Sequence, residues 1–179
     1  MQTKIPLLNR ELGALEFNSR VLAQAENPKT PLLERLRFVC IVSSNMDEFF
    51  EIRMSGIKEQ LKSNPKNTTP DGLLITDAYN IITQQAHDLV ARKYRLLQEE
   101  IIPKLDKEGV TFHLADAWTS RQKAWAKEFF HKELVPLLTP IALDPAHPFP
   151  KVINKSLNFF VTLEGEDSFG RKPSLAVVQ

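Results

Sequence analysis

Ser43-Ser44-Asn45-Met46-Asp47-Glu48-Phe49-Phe50-Glu51-Ile52-Arg53 sets polar and acidic side chains inside an otherwise apolar stretch. Upstream, Leu36, Phe38, Val39, Cys40, Ile41 and Val42 point in almost every direction around a helix, and downstream Phe49, Phe50, Ile52 and Met54 do the same. A helix apolar all round is buried, and a polar group carried there without a partner costs about 1–3 kcal/mol. Ser43, Ser44, Asn45, Asp47 and Glu48 are therefore expected to find partners. Leu36, Cys40, Ser43, Asp47, Phe50, Met54, Ile57 and Leu61 recur in alternating steps of four and three, the seam of a helix packed against near-antiparallel neighbours. On that line Ser43 and Asp47 are expected to be buried, with Asp47 paired to Arg10, Arg20 or Arg53. Ser44-x-x-Asp47 and Asn45-x-x-Glu48 resemble capping boxes. They point to a helix that breaks and restarts here, with free backbone N–H groups near Asn45 and Met46. Ser43 and Ser44 read as back-bonded or capping hydroxyls.

Working outward, Asn9 is expected to cap a first helix whose stripe is Leu8, Leu12, Leu15, Leu22 and Ala25. Thr30 and Pro31 read as N-cap and first residue of the second helix. Ser63 to Gly72 is loop. A third helix is expected from about Leu73 to Lys107, with Ile75, Ile82, Leu89 and Leu96 every seven residues, Tyr79 and Ala86 between them, and Pro103 kinking it or opening a short extra turn. Long helices with short connections make an antiparallel bundle. After Gly109 the pattern changes. Val110–Leu114 reads as a short strand, and Thr119 as the cap of a helix to about Val135. Pro136, Pro140, Pro145, Pro148 and Pro150 mark an extended or turning, non-helical stretch. Leu157–Leu163 alternates as a strand, Glu164–Pro173 forms a hairpin loop, and Leu175–Val178 is a returning strand. The fold class is mainly α, an antiparallel bundle of long helices (1–108) followed by the beginning of an α+β domain (109–179). Two strands alone are marginal, so the second domain is expected to be cut off.

Composition is that of an ordinary soluble globular chain: 179 residues, 42% hydrophobic, 25% charged, net charge +1. That balance makes no global case for nucleic acid or membrane binding. Cys40, the single cysteine, excludes an intrachain disulfide and is expected to be a buried, inert thiol. The first residues lack the apolar core of a signal peptide, and no apolar run reaches the roughly 20 residues of a membrane span.

Asn9-Arg10-Glu11-Leu12, Leu15-Glu16-Phe17-Asn18, Arg20-Val21-Leu22, Pro31-Leu32-Leu33-Glu34-Arg35-Leu36-Arg37-Phe38, the Ser43–Phe50 string with Arg53, Thr139-Pro140 and Asp144-Pro145-Ala146-His147-Pro148-Phe149-Pro150 appear in that order. Together they resemble the long bacterial form of the polyphosphate kinase family over essentially the whole chain. The chain departs from the family pattern at Gly13-Ala14, where a Ser-Trp pair is usual. The resemblance implies a four-domain enzyme that reversibly transfers the γ-phosphate of ATP to inorganic polyphosphate through a phosphohistidine. These residues would be its N-terminal domain and the start of its middle, or head, domain. The nucleophile, the phosphate-gripping arginines and the Mg2+ ligands are implied to lie downstream. No catalytic or metal-binding residue is then expected here, and the 179 residues alone are expected to be inactive. ATP and ADP and polyphosphate are the implied partners, in a cytoplasmic homo-oligomer that can associate with membranes at full length.

The same resemblance implies that Asn45 contacts the adenine of ATP, a task an amide suits because it donates and accepts at once. The residues by themselves allow Asn45 to be only a helix cap. Asp47 and Glu48 could be catalytic carboxylates, but a structural role fits Asp47 better. His87, His113, His131 and His147 lack metal-ligand spacing, and His147 is not expected to be the nucleophile. Arg92-Lys93-Tyr94-Arg95, Lys62 and Lys66 read as solvated surface. A stand-alone helical interaction module, its polar seam fixing register, is the competing hypothesis.

Overall fold

The computed structural model describes residues 7–143, 149–153, 155–165 and 175–178. It divides into two compact units, Met1–Phe112 and His113–Gln179. In the first, α1 (Arg10–Glu26), α2 (Leu32–Glu48) and α4 (Ile75–Arg95) pack on one another. A π-helical segment, Phe49–Met54, carries α2 without interruption into α3 (Ser55–Ser63). A second, Leu96–Ile101, joins α4 to α5 (Ile102–Lys107). Asn9 caps α1, its side chain accepting from the N–H groups of Glu11 and Leu12. Leu32, not Pro31, opens α2, with Pro31 at the cap position and no side-chain cap bond.

The π turns explain where the expected seam fails. The buried line on α2 is Arg35, Val39, Val42, Met46 and Phe49, and it resumes at Met54 and Ile57. The step from Phe49 to Met54 is five residues, which a π turn accommodates by widening the helix by one residue. The heptad line drawn from the sequence therefore holds after the insertion and is one residue out of phase before it. Cys40 and Asp47 are exposed as a result, contrary to expectation. The helix does not break at the motif, because α2 runs through to Glu48. Nor is it buried all round, since Ile41 and Ile52 are exposed.

The third helix obeys its heptad. Ile75, Ile82, Leu89 and Leu96 are all buried, and the line resumes five residues on at Ile101. Pro103 cannot donate to the Glu99 carbonyl, and the π segment just before it shifts the pairing, Ile102 N–H reaching Leu97 O. The bundle ends with Gly109 at φ 85°. Val110 N–H bonds Leu105 O and Gly109 N–H bonds Asp106 O, a Schellman closure. Val110–Leu114 is consequently not a strand. On α1, Leu15, Leu22 and Ala25 are buried as expected, while Leu8 is exposed.

In the second unit Thr119 caps α6 (Ser120–Phe129) through a capping box with Gln122. A π segment, Phe130–Leu134, and a 3-10 turn, Val135–Leu137, follow, so Pro136 lies in a helical turn despite the expectation of none. β1 (Ile141–Ala142), which the pattern did not announce, and β2 (Phe159–Thr162) flank β3 (Leu175–Val178) in an antiparallel sheet of order β1-β3-β2. Phe160 faces Val177, and Ile141 pairs with Val177 on the other side. The strand expected at Leu157–Leu163 is shorter, and most of the expected hairpin loop lies outside the described residues.

Candidate functional site

Residues 43–53 occupy the C-terminal end of α2 and the π turn after it, where α2 meets α1 on one side and α4 on the other. Toward α4, Ser43 is half-buried and its Oγ accepts from Lys93 Nζ at 2.8 Å. Lys93 is only 5% exposed, and its ammonium lies 4.1 Å from the Tyr94 ring centroid, a cation–π placement. Ser43 is thus an interhelical acceptor rather than a cap, and Lys93 is not on a solvated face. Arg92 is tied across to α1: its Nη2 meets Glu26 Oε2 at 2.7 Å, its Nε bonds Glu26 Oε1, and its Nη1 reaches Ser19 Oγ at 3.1 Å. The paired carboxylate of Glu26 holds the Arg92 guanidinium further above its usual range.

Toward α1, Asn45 is half-buried, and its Nδ2 donates to Asn18 Oδ1 at 2.8 Å. Asn18 is 5% exposed. Its own Nδ2 donates to the Ala14 carbonyl at 2.9 Å. Asn45 therefore does not cap a restarted helix but joins two helices through an amide pair. Ser44, Asp47 and Glu48 are exposed on α2, and Glu51 is exposed on the π turn after it. Phe49 is buried and meets Phe50 edge-on at 5.8 Å, and Phe50 in turn lies against the His87 ring at 6.4 Å.

Further along the bundle, Arg35 is buried at 2% exposure. Its Nε donates to the Ala25 carbonyl near the end of α1, and its Nη2 meets Glu100 Oε2 at 2.9 Å. Hydrogen bonds from Arg35 and then Lys104 hold the Glu100 carboxyl below its usual value.

Asn18 and Arg35 were given no structural role by the sequence, and Lys93 was read as solvated surface. Each occupies a stripe position: Leu15–Asn18–Leu22, Leu89–Lys93–Leu96 and Arg35–Val39–Val42. Their spacing was the signal, and counting only apolar residues hid it. Among the described residues no group of three or more His, Cys, Asp or Glu side chains converges as a metal site. No helix among them is long and apolar enough to cross a membrane. His147 lies outside the described residues. What the motif offers chemically is amide and hydroxyl hydrogen bonding on a rigid helix, suited to binding and orienting.

Comparison with known proteins agrees along the whole chain. Residues 7–113 match the polyphosphate kinase N-terminal domain, and residues 121–179 match the polyphosphate kinase middle domain. A polyphosphate kinase of Burkholderia ambifaria (strain MC40-6) is 57% identical over all 179 residues, and one of Paraburkholderia phytofirmans is 54% identical. This chain spans 26% of the length of each. The crystal structure of polyphosphate kinase from Porphyromonas gingivalis superposes with a TM-score of 0.68 at 26% identity, covering 98% of this chain and 25% of that one.

Proposed function

The chain belongs to the polyphosphate kinase family, and from that we propose that its helical unit forms a wall of the ATP site, with Asn45 against adenine. The supporting observation is the state of the Asn45 amide. It is half-buried and anchored on one side by Asn18. Among the described residues that is its one side-chain hydrogen bond, which leaves Oδ1 and a second N–H for a base edge. An amide already held in place loses little freedom on binding, which favours affinity.

The activity of the complete enzyme would be reversible transfer of the ATP γ-phosphate to polyphosphate. Such transfer depends mainly on positioned charge around the phosphates. Residues 43–53 would contribute substrate placement, and this chain by itself would transfer nothing. Mg2+ is expected for the complete reaction. The described residues do not fit it, since no ligand cluster converges among them. Assembly as a cytoplasmic homo-oligomer belongs to the same proposal. The test is photolabelling of an enzyme of the relatives' full length with an ATP analogue carrying an azide on the adenine ring. The expected label falls on the peptide containing residues 43–53 and is competed by ATP. Competed labelling confined to other peptides would refute the adenine contact.

A further inference from the structure

Asn18 determines which way round the Asn45 amide is presented. The Ala14 carbonyl can only accept, so the amide group that faces it must be the NH2 of Asn18, at 2.9 Å. That leaves Asn18 Oδ1 pointing to α2, where it accepts from Asn45 Nδ2 at 2.8 Å. A flipped Asn45 would set two carbonyl oxygens against each other beside a side chain that is 5% exposed. An unpaired buried acceptor is costly, so the flip is suppressed. The order of donor and acceptor on the free edge of Asn45 is therefore fixed from α1, two hydrogen bonds away from any ligand.

Fixed order matters for base choice. Adenine offers an N6–H donor beside a ring-nitrogen acceptor. On the Watson–Crick edge, where that ring nitrogen is N1, guanine reverses the order, its O6 accepting and its N1–H donating. A freely flipping amide can match either base seated in one orientation, whereas a locked amide matches one. We propose that Asn18 is a positioning residue that sets the preference for adenine over guanine by locking Asn45. This rests on Asn45 meeting the base.

The experiment measures kcat and KM for ATP and GTP in an enzyme of full length carrying Asn18→Leu, Asn18→Asp or Asn45→Ala. Asn18→Leu removes the acceptor at similar volume. The ATP-over-GTP preference should fall by about 2–13-fold, the range for one hydrogen bond, with kcat for ATP nearly unchanged. Asn18→Asp keeps an acceptor facing Asn45 but sets its second oxygen against the Ala14 carbonyl, so it should retain the preference while lowering the melting temperature. Should Asn18→Leu fail to fold, Asn18→Ser, whose hydroxyl is too short to reach Asn45, carries the same expectation. If Asn45→Ala lowers the preference but Asn18→Leu does not, or if Asn18→Leu lowers only the melting temperature, the positioning role is overturned while the adenine contact stands. If Asn45→Ala leaves the preference intact, the adenine contact itself fails and the lock fails with it.

Discussion

The two units of the chain differ in how their apolar residues are used. In the helical unit, Leu15, Leu22, Val42, Met46, Phe49, Ile57, Ile82, Leu89 and Ile101 belong to one continuous core. In the second unit the buried hydrophobics among the described residues are Ala176, Val177 and Val178, all on the central strand β3. Trp125, Leu137, Leu157, Phe159 and Phe160 are exposed there. Heptad helices close a core locally, because each stripe meets the next across a short loop. A sheet of three short strands needs cover on its faces before its apolar side chains contribute to stability.

The largest expected effect breaks or sustains this contrast directly. Ile82→Ala, at a fully buried position, should cost about 2–5 kcal/mol. Phe160→Ala, at a side chain 59% exposed, should stay within about 0.5 kcal/mol. Urea unfolding of the chain followed by far-UV circular dichroism reads both, and comparable losses would show that the second unit has a core of its own.

A polar version of the comparison is smaller. Arg35→Ala leaves the Ala25 carbonyl without its donor in a buried place and should cost about 1–3 kcal/mol. Lys132→Ala removes an exposed i,i+4 pair with Glu128, for which about 0–1 kcal/mol is usual. Melting temperatures that fall equally for the two variants would mean that burial of Arg35 is energetically idle.

Acid should weaken the helical unit. Glu100 is held below its ordinary value of 4.5 by hydrogen bonds from Arg35 and then Lys104. Asp71, which accepts from Asn9 Nδ2 at 3.1 Å, is lowered by its hydrogen bond with Thr69 and, more weakly, by that with Asn9. A carboxyl whose folded pKa is depressed adds stability that is complete above its ordinary pKa. That stability is lost as pH falls through the folded pKa. Urea midpoints of the parent should therefore fall with acidification below pH 4.5 more steeply than those of Glu100→Gln. Parallel pH dependences would remove Glu100 from the account.

Much of the helical unit was legible because its signals are local. Asn9 caps the helix it was expected to cap, as Thr119 does in the second unit, and the Ile75–Leu96 heptad lies in the core. What escaped depends on backbone detail or on distant partners. The π turn after Glu48 shifts the phase of α2 by one residue, and no side-chain pattern marks it beforehand. That one shift placed Asp47 and Cys40 inside when they lie outside. β1 is two residues long, and only its pairing with Ile141 opposite Val177 makes it a strand. At the motif, the need of Ser43 and Asn45 for partners was legible from the apolar residues around them. Asn18 and Lys93 were not, because a polar residue on an apolar stripe looks like an interruption until its partner across the helix is known.

The central claim is that Asn45 serves a base as well as the bundle, and steady-state kinetics of Asn45→Ala in an enzyme of full length tests it most directly. Loss of the bond to Asn18 lowers the melting temperature somewhat on either view, so KM and base preference decide. KM for ATP should rise by a factor of about 2–13, the equivalent of one hydrogen bond to a neutral base. The turnover number should change less, because adenine lies far from the reacting phosphate, and preference for ATP over GTP should fall. An unchanged KM and unchanged base preference beside a lowered melting temperature would contradict the claim and leave Asn45 as a helix-to-helix amide alone.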